Sequence, residues 1–494
     1  MHDVGAAWLM TSLTPSPFLV ALMQTATSLP IFMLALPGGA LADIVDRRRL
    51  LVATQGWMCA TAVALGLLTL AGLTTATVLL VLTFALGLGA AMNMPAWQAT
   101  TPEVVPRAQL PAAVALGGVG LNVARAIGPA LGGVVVAVAG SGAVFLLNAL
   151  TFLGVIGAVY MWRRTSPERR LPPEHVLGAV RAGVRYVRHA PLFRAVLVRT
   201  AVFILCGSAT WALLPVVGRR ELGLSALGYG LLLGCLGLGA VAGSAILPWF
   251  RVRLSVDALV IGATIIFGAA TLALGQLRAV SLLFVVMLVA GGAWITLMSS
   301  LNVAAQVAIP GWVRARALAV YLLVFQGGMA LGSLLWGGLA ARAGVSTALS
   351  VAAVGLLAGL GVAGRYRLTL GAAPDLAPSL HWPWPQLAWE HGSDPGPVLV
   401  MVEYRVEPSR SREFSEAVHA LEPIRRRDGA LQWGLFQDAA DPGRFLESFV
   451  VESWVEHLRQ HERVTMADRE LETRARAFHL GNTPPRVSHF VAQL

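Results

Sequence analysis

The chain contains no lysine; all 37 of its basic residues are arginine. Charge of either sign is scarce, at 13% of 494 residues, about half of what a soluble globular chain carries. Even a large soluble domain must cover its surface with polar groups, so this shortage excludes an ordinary soluble protein. A bilayer removes the need, and the chain is 56% hydrophobic. Cysteine is nearly missing as well. Cys59, Cys206 and Cys235 all lie in apolar stretches with no CxxC or Cys/His spacing, which argues against a disulfide framework or a zinc site and for packing. No GxxxxGK[ST] loop is present to hold a nucleotide, and no basic stretch precedes the first apolar residues, so no cleavable signal peptide is expected. No metal, cofactor or catalytic residue is called for, and the chain reads as a non-enzyme.

What is there is a series of apolar runs. A membrane-crossing helix needs about 20 mostly apolar residues. From Phe18 onward such runs cover 18–42, 50–72, 76–97, 109–138, 142–162, 192–217, 223–249, 256–276, 279–304, 314–340 and 345–364. Alternate connections carry Arg47 to Arg49, Arg107, the group Arg163, Arg164, Arg169 and Arg170, then Arg251 and Arg253, Arg314 and Arg316, Arg365 and Arg367. The other connections are nearly free of base, with Arg219, Arg220, Arg278 and Arg342 as exceptions. By the positive-inside rule the Arg-rich side is cytoplasmic, which puts a multi-pass protein in the cell inner (plasma) membrane with its C-terminus in the cytoplasm. The net charge of +11 therefore reflects membrane topology; a nucleic-acid partner would need a basic stripe on a polar domain.

The sequence repeats at a constant offset of 204 residues: Gly39 pairs with Gly243, Arg47 with Arg251, Arg49 with Arg253, Pro106 with Pro310, Gly128 with Gly332 and Gly133 with Gly337. A gapless offset over about 95 residues points to two parallel six-helix halves. The organisation expected is an N-terminal half over 1–162, an inter-half loop over 163–190, a C-terminal half over 191–370, a Pro/Trp-rich linker over 371–396 and a soluble domain over 397–494. The same offset places Met1 opposite Leu205, in the middle of the seventh helix, so the first helix reads as incomplete. Either translation starts upstream or the half-helix is genuine.

Gly39-Ala-Leu-Ala-Asp43-Ile-Val-Asp46-Arg47-Arg48-Arg49 joins the second and third helices. Asp43 can accept hydrogen bonds from helix N-termini or pair with arginine, a latch that breaks when the halves rock; alternatively the arginines are only topology anchors. Gly128-Pro129-Ala-Leu-Gly132-Gly133 places small residues and a backbone-deforming proline in the fifth helix. With Asn122-Val-Ala-Arg125 and Pro102-Glu103-Val-Val-Pro106, these segments resemble the transmembrane secretion effector group of the major facilitator superfamily, which includes the enterobactin exporter and has macrolide efflux pumps as relatives. The loop signature departs from the family pattern at Ile44, where a basic residue is usual, and at Asp46, where glycine is usual. The resemblance implies a major facilitator fold, export rather than import, coupling to the proton gradient, and a conformational latch at Gly39, Asp43, Arg47 and Arg49. Gly128, Pro129, Gly132 and Gly133 correspond to its exporter-type helix motif.

Charges inside a membrane span are candidate functional groups. Arg125 lies near the middle of the fifth helix, with Asn122 one turn away on the same side. Asp3 aligns with Gly207 and falls near mid-membrane if the first helix is complete; burial would raise its pKa and let it carry a proton. As a helix-end residue in solvent it would do neither. Arg199, nearer the end of its helix, reads as snorkelling. The implied cavity is apolar with one positive charge, suited to small amphipathic organic molecules; protons and the lipid bilayer are the other partners.

The C-terminal extension changes character. Trp382, Trp384 and Trp389 lie in the linker, placed either at the headgroup level or against the next domain. From residue 397 the chain carries 13 Arg against 15 acidic residues, net −2, which leaves +13 on the rest. Alternation from Val398 to Val406, helical sequence over 409–427, strands over 431–438 and 444–452 around Asp441-Pro-Gly443, helical sequence over 453–478 and a last strand over 486–492 predict a βαββαβ, ferredoxin-like α+β order. This part resembles antibiotic biosynthesis monooxygenase-like modules, which pair through their sheets as dimeric α/β barrels. Trp454, His457 and His461 form a constellation on one helical face but find no third ligand in the sequence, so regulation or dimerisation is expected here rather than catalysis. A membrane-tethered oxidoreductase is the competing function, and duplicated halves argue against it, since a tether needs none.

Overall fold

The computed structural model describes residues 1–105, 109–161, 176–368, 375–383 and 396–492. It divides into two compact units: Met1–Val176, Val196–Ala304 and Tyr321–Leu368 form the first, and Leu177–Ala195, Ala305–Val320 and Thr369–Leu494 the second.

The first unit is built from apolar helices. They are α1 (His2–Leu13), α2 (Pro17–Ile44), α3 (Arg47–Leu70), α4 (Ala76–Val104), α5 (Leu110–Met161), and, after α6 (Val176–His189), α7 (Pro191–Val216), α8 (Ala226–Arg253), α9 (Val256–Gln276), α10 (Val280–Val307), α11 (Arg314–Ala343), α12 (Val345–Ala358) and α13 (Gly361–Arg365). Their starts follow capping chemistry: the side chains of Asp46, Thr75, Ser225 and Ser255 each accept a backbone N–H from the first turn. Within α5 the chain kinks at Gly140, whose φ of 79° lies in the left-handed region that glycine adopts without strain. That kink separates the two spans expected at 109–138 and 142–162. Among the described residues ten helices are long and apolar enough to cross a membrane.

Met10, Leu65, Phe145, Leu213, Leu232, Leu274 and Leu349 are among the buried side chains that join these helices in one apolar core. Outside it, large apolar residues such as Leu70, Val81, Leu150, Val285 and Leu331 are exposed. A surface of that kind is stable against lipid, where every backbone polar group must be satisfied within its own helix. Buried hydroxyls follow the same logic: Thr54, Thr264, Thr271 and Ser333 each donate to the carbonyl four residues back.

In the second unit, β1 (Val398–Arg405) is followed by α14 (Ser411–His419), α15 (Glu422–Asp428), β2 (Ala430–Gln437), β3 (Arg444–Val451), α16 (Trp454–Arg463), α17 (Met466–Arg476) and β4 (Arg486–Val491). The strands form one antiparallel sheet in the order β2-β3-β1-β4. Val398, Val400, Val402 and Tyr404 of β1 are buried, while the residues between them are only half-buried. Both predicted helices are split. Pro423 restarts the first within α15, and a reciprocal capping box between Thr465 and Asp468 restarts the second as α17.

Residues 375–383 are not a free linker. Pro378 bridges Thr465, the Ser379 amide donates to the Val464 carbonyl at 2.9 Å, and the Met466 amide to the Ala377 carbonyl at 2.9 Å. Trp382 packs on this domain rather than at a headgroup; Trp384 and Trp389 lie outside the described residues.

Candidate functional site

The expected latch lies between α2 and α3. Gly39 and Asp43 fall outside the residues whose side chains are described. Asp46, which departs from the family pattern, has a local job: its Oδ1 accepts the Arg49 amide at 3.0 Å and caps α3. Arg48 donates to the Tyr160 carbonyl and lies 5.2 Å from the centre of that ring. Arg47 is half-buried and Arg49 exposed. In the second half the counterpart Arg251 donates to Ser299 Oγ at 2.8 Å, and Arg253 stacks on Trp249 at 3.8 Å.

The glycine-proline motif joins the two halves. A Cβ at Gly133 would sit 2.8 Å from the Ala226 carbonyl oxygen and 3.0 Å from Gly230 Cα, so only glycine lets α5 come this close to α8. Pro129 supplies the carbonyl 2.8 Å from the Cβ position of Gly230. The repeat mate of Gly133 behaves alike. A Cβ at Gly337 would meet Ala21 Cβ at 2.5 Å, where α11 crosses α2 of the other half. Thr25 Oγ1 donates to the Ala330 carbonyl at 3.1 Å beside it. Gly132, by contrast, faces the start of α1, its Cβ position 2.9 Å from Met1 Cα, and Gly128 has looser surroundings.

Of the candidate cavity residues, the side chains of Asn122 and Arg125 lie outside the described residues. Asp3 is exposed in the first turn of α1. Beside it, the His2 ring packs 5.0 Å from Phe145. Arg199 does not snorkel: it is 7% exposed and forms an ion pair with Asp257 at the start of α9. Asp257 also accepts the Leu368 amide at 3.1 Å. The sequence reading missed this pair because its partners stand 58 positions apart. It also missed Arg219 and Arg220 as bridging groups. Arg219 donates to the Trp8 carbonyl at 3.2 Å and Arg220 to the Thr14 carbonyl at 2.6 Å. The only signal for them was that they stand on the side poor in arginine.

In the second unit, buried charges hold the elements together. Arg425 on α15 binds Glu447 of β3 at 2.9 Å and Glu472 of α17 at 2.5 Å. Glu447 also accepts Trp433 Nε1 at 3.1 Å, and Glu472 accepts Trp382 Nε1 at 2.9 Å and pairs with His381 at 2.7 Å. Burial opposes the Glu472 charge, but Arg425, His381 and Trp382 outweigh it and bring the pKa down to about 2. Arg427 pairs with Asp428 and Asp468 at 2.8 and 2.6 Å. At the surface of α16, Glu456 gathers Arg185 of α6 at 2.8 Å and Arg463 at 2.6 Å. Arg463 lies over Trp312 at 4.7 Å, and Tyr186 of α6 donates to the Ala308 carbonyl at 2.6 Å. The inter-half helix, the 305–320 segment and the C-terminal domain thus share one set of contacts.

Trp454, His457 and His461 do meet, with a residue the sequence did not connect to them. His489 on β4 lies 4.7 Å from His457 and 5.8 Å from Trp454 between ring centroids. Burial pushes the His457 pKa down to about 3 and that of His461 to about 4, and lowers that of His489. The rings meet edge-on or tilted, His457 against His461 at 4.9 Å and against His489 at 4.7 Å. Among the described residues no cluster of His, Cys, Asp or Glu is arranged to hold a metal ion.

Residues 1–494 match the family described as "Transmembrane secretion effector". The chain is 27% identical over 374 residues to the multidrug efflux pump Tap of Mycolicibacterium fortuitum, covering 72% of this chain and 89% of that protein. Two solved structures are similar in fold. One is a bacterial homologue of the human lysosomal transporter Spinster, at 16% identity and TM-score 0.57, covering 74% of this chain and 93% of its own. The other is a POT family transporter, at 14% identity and TM-score 0.59, covering 74% and 94%.

Proposed function

The chain belongs to the transmembrane secretion effector family of the major facilitator superfamily, transporters and not enzymes, and from that premise we propose that it exports small amphipathic organic molecules by proton antiport with alternating access. The observation that carries this reading is the pair of repeat-related glycines: Gly133 brings α5 onto α8, and Gly337 brings α11 onto α2. Two equivalent glycine-lined joints between duplicated halves are what a rocking mechanism needs, because close-packed backbones can slide without breaking buried ion pairs. The efflux pump relative supports a drug-like substrate, and the family supports export.

Arg125 and Asn122 are the proposed cavity residues; Asp3, exposed in the first turn of α1, is proposed as the coupling acid on a water-accessible pathway and not as a buried carboxyl. Asp43, with Gly39, Arg47 and Arg49, is the proposed latch, on the cytoplasmic side that the arginine distribution assigns. Gly128, Pro129, Gly132 and Gly133 are proposed as the exporter-type motif that sets direction. The C-terminal module, proposed as ferredoxin-like from its strand order, sits in the cytoplasm of a plasma-membrane protein and regulates or dimerises. Exposed Phe436 and Phe490 on its sheet favour pairing with a second copy.

Proton-gradient-driven efflux of a fluorescent amphipathic dye from cells expressing the chain tests the proposal. We expect efflux that a protonophore abolishes, that Asp3→Asn uncouples from the gradient, and that Arg125→Ala reduces at least tenfold. Efflux untouched by the protonophore rejects antiport.

A further inference from the structure

Arg219 and Arg220 stand where the charge pattern disfavours them, on the side poor in arginine. They occupy a π-helical turn, Val217–Glu221, that ends α7. Such turns are rare and re-aim the side chains they carry. Here both guanidinium groups reach into the other half of the protein. Arg219 Nη1 donates to the Trp8 carbonyl at 3.2 Å, to Thr11 Oγ1 at 3.3 Å and to Ser12 Oγ. The same guanidinium lies 4.7 Å from the Trp8 ring centre, and Trp8 in turn stacks on Tyr229 of α8 at 5.9 Å. Arg220 donates to the Thr14 carbonyl at 2.6 Å and to the Pro15 carbonyl.

The acceptors explain the choice of residue. The last carbonyls of a helix have no partner within it and carry partial negative charge. Past the end of α1, in the turn that leads to α2, the Thr14 and Pro15 carbonyls are met by Arg220, while Arg219 reaches back to the Trp8 carbonyl and the Thr11 and Ser12 hydroxyls on the last turns of the helix. Arginine suits this better than lysine, because its planar fork reaches several acceptors at once while stacking on an aromatic ring.

We infer that Arg219 and Arg220 form the outer gate of the transporter, closing the halves on the side poor in arginine and releasing when that side opens. The inference rests on the alternating-access reading. The gate adjoins the joints already described: Ala226 of α8 against Gly133, and Ala21 of α2 against Gly337. Its acceptors are carbonyls and hydroxyls, which do not titrate in the physiological range. The grip of the gate therefore does not depend on a titrating acceptor.

The test is cysteine labelling by a membrane-impermeant maleimide. Reporter cysteines go at Ala226 and, separately, at Ala21, which are 6% and 0% exposed. The background is the same protein without the reporter, which accounts for Cys59, Cys206 and Cys235. With Arg219→Ala/Arg220→Ala we expect labelling of both reporters in intact cells to accelerate about tenfold, as a shift of population toward the outward-open form requires. Arg278→Ala is the control, since Arg278 pairs with Glu221 within its own half at 2.9 Å; it leaves labelling unchanged. Unchanged labelling in the double variant overturns the gate, and so does an equal rise in the control. A rise seen only in inside-out vesicles keeps the gate and overturns the assigned orientation instead. None of these readouts depends on substrate or proton coupling, so failure of the antiport reading shows separately, in the efflux assay.

Discussion

The two units use charge to different extents: the helices hold the Arg199–Asp257 pair, and the C-terminal domain a whole set of buried pairs. In the membrane helices, buried hydroxyls close on the carbonyl of their own preceding turn, and among the described residues the halves meet through glycines, the Thr25-to-carbonyl hydrogen bond, the Trp8–Tyr229 stack and the two gate arginines. In the C-terminal domain, ion pairs such as Arg425 with Glu447 and Glu472 run between different elements, fully buried. The difference follows from what each must do. Helices that satisfy their own polar groups can move against one another in lipid at little cost. A small domain cross-linked by buried ion pairs cannot shift without stranding a charge. The first is built to move and the second to stay whole.

The sharpest way to break this comparison is to remove one cation from each unit. Arg425→Ala takes the shared guanidinium from two buried carboxylates, leaving Glu472 with His381 and Trp382 and Glu447 with Trp433, and a cost of about 3–5 kcal/mol is expected. Hydrogen exchange on the full chain should show protection lost across 397–492. Arg199→Ala removes the counterpart pair in the helices. Its partner Asp257 keeps the Leu368 amide and is 20% exposed, so the loss should be smaller, on the order of 1–2 kcal/mol. Equal losses would erase the distinction.

Next in size are the joints. Gly133→Val and Gly337→Val each force a side chain into a backbone crossing, where overpacking costs about 1–3 kcal/mol. Dye efflux should fall by similar factors in both, because the two positions are related by the repeat. A loss in only one would show that the halves do not rock symmetrically.

The smallest effect is on the C-terminal domain alone. His457 and His461 are held neutral by burial, with His489, His381 and Glu472 around them. Their folded pKa values lie below the unfolded value near 6.5, so the unfolded chain takes up protons first as pH falls. Stability is full above about pH 6.5 and is lost as pH drops toward 4, on the order of 1 kcal/mol per histidine by pH 6. Protease resistance of this domain in the full chain should weaken between pH 7.5 and 6, while that of the membrane helices should not. Substituting His457 with Phe should flatten the dependence.

Much of the fold was legible in the sequence. Span length, the 204-residue repeat and the βαββαβ order are all local or periodic properties, and each fixed an element before any contact was known. Helix breaks inside the C-terminal domain were not legible, because they depend on a cap at Thr465 and on where Pro423 falls within a turn. The candidate site was legible in part. Gly133 and Gly337 were found as repeat mates, but which helices they touch was not.

What the sequence by itself determined is a series of helices long and apolar enough to cross a membrane, followed by an acidic, strand-containing domain, because hydrophobic run length and alternation are written residue by residue. Tertiary structure alone decided that Arg199 pairs with Asp257, that His489 joins His457 and His461, that α6 and the 305–320 segment group with the C-terminal domain, and that Arg219 and Arg220 reach backbone carbonyls at Trp8 and Thr14 in the other half. These contacts join residues far apart in the chain. A guanidinium reaching a carbonyl needs no particular neighbour in sequence, only one in space, so it leaves no local pattern to read.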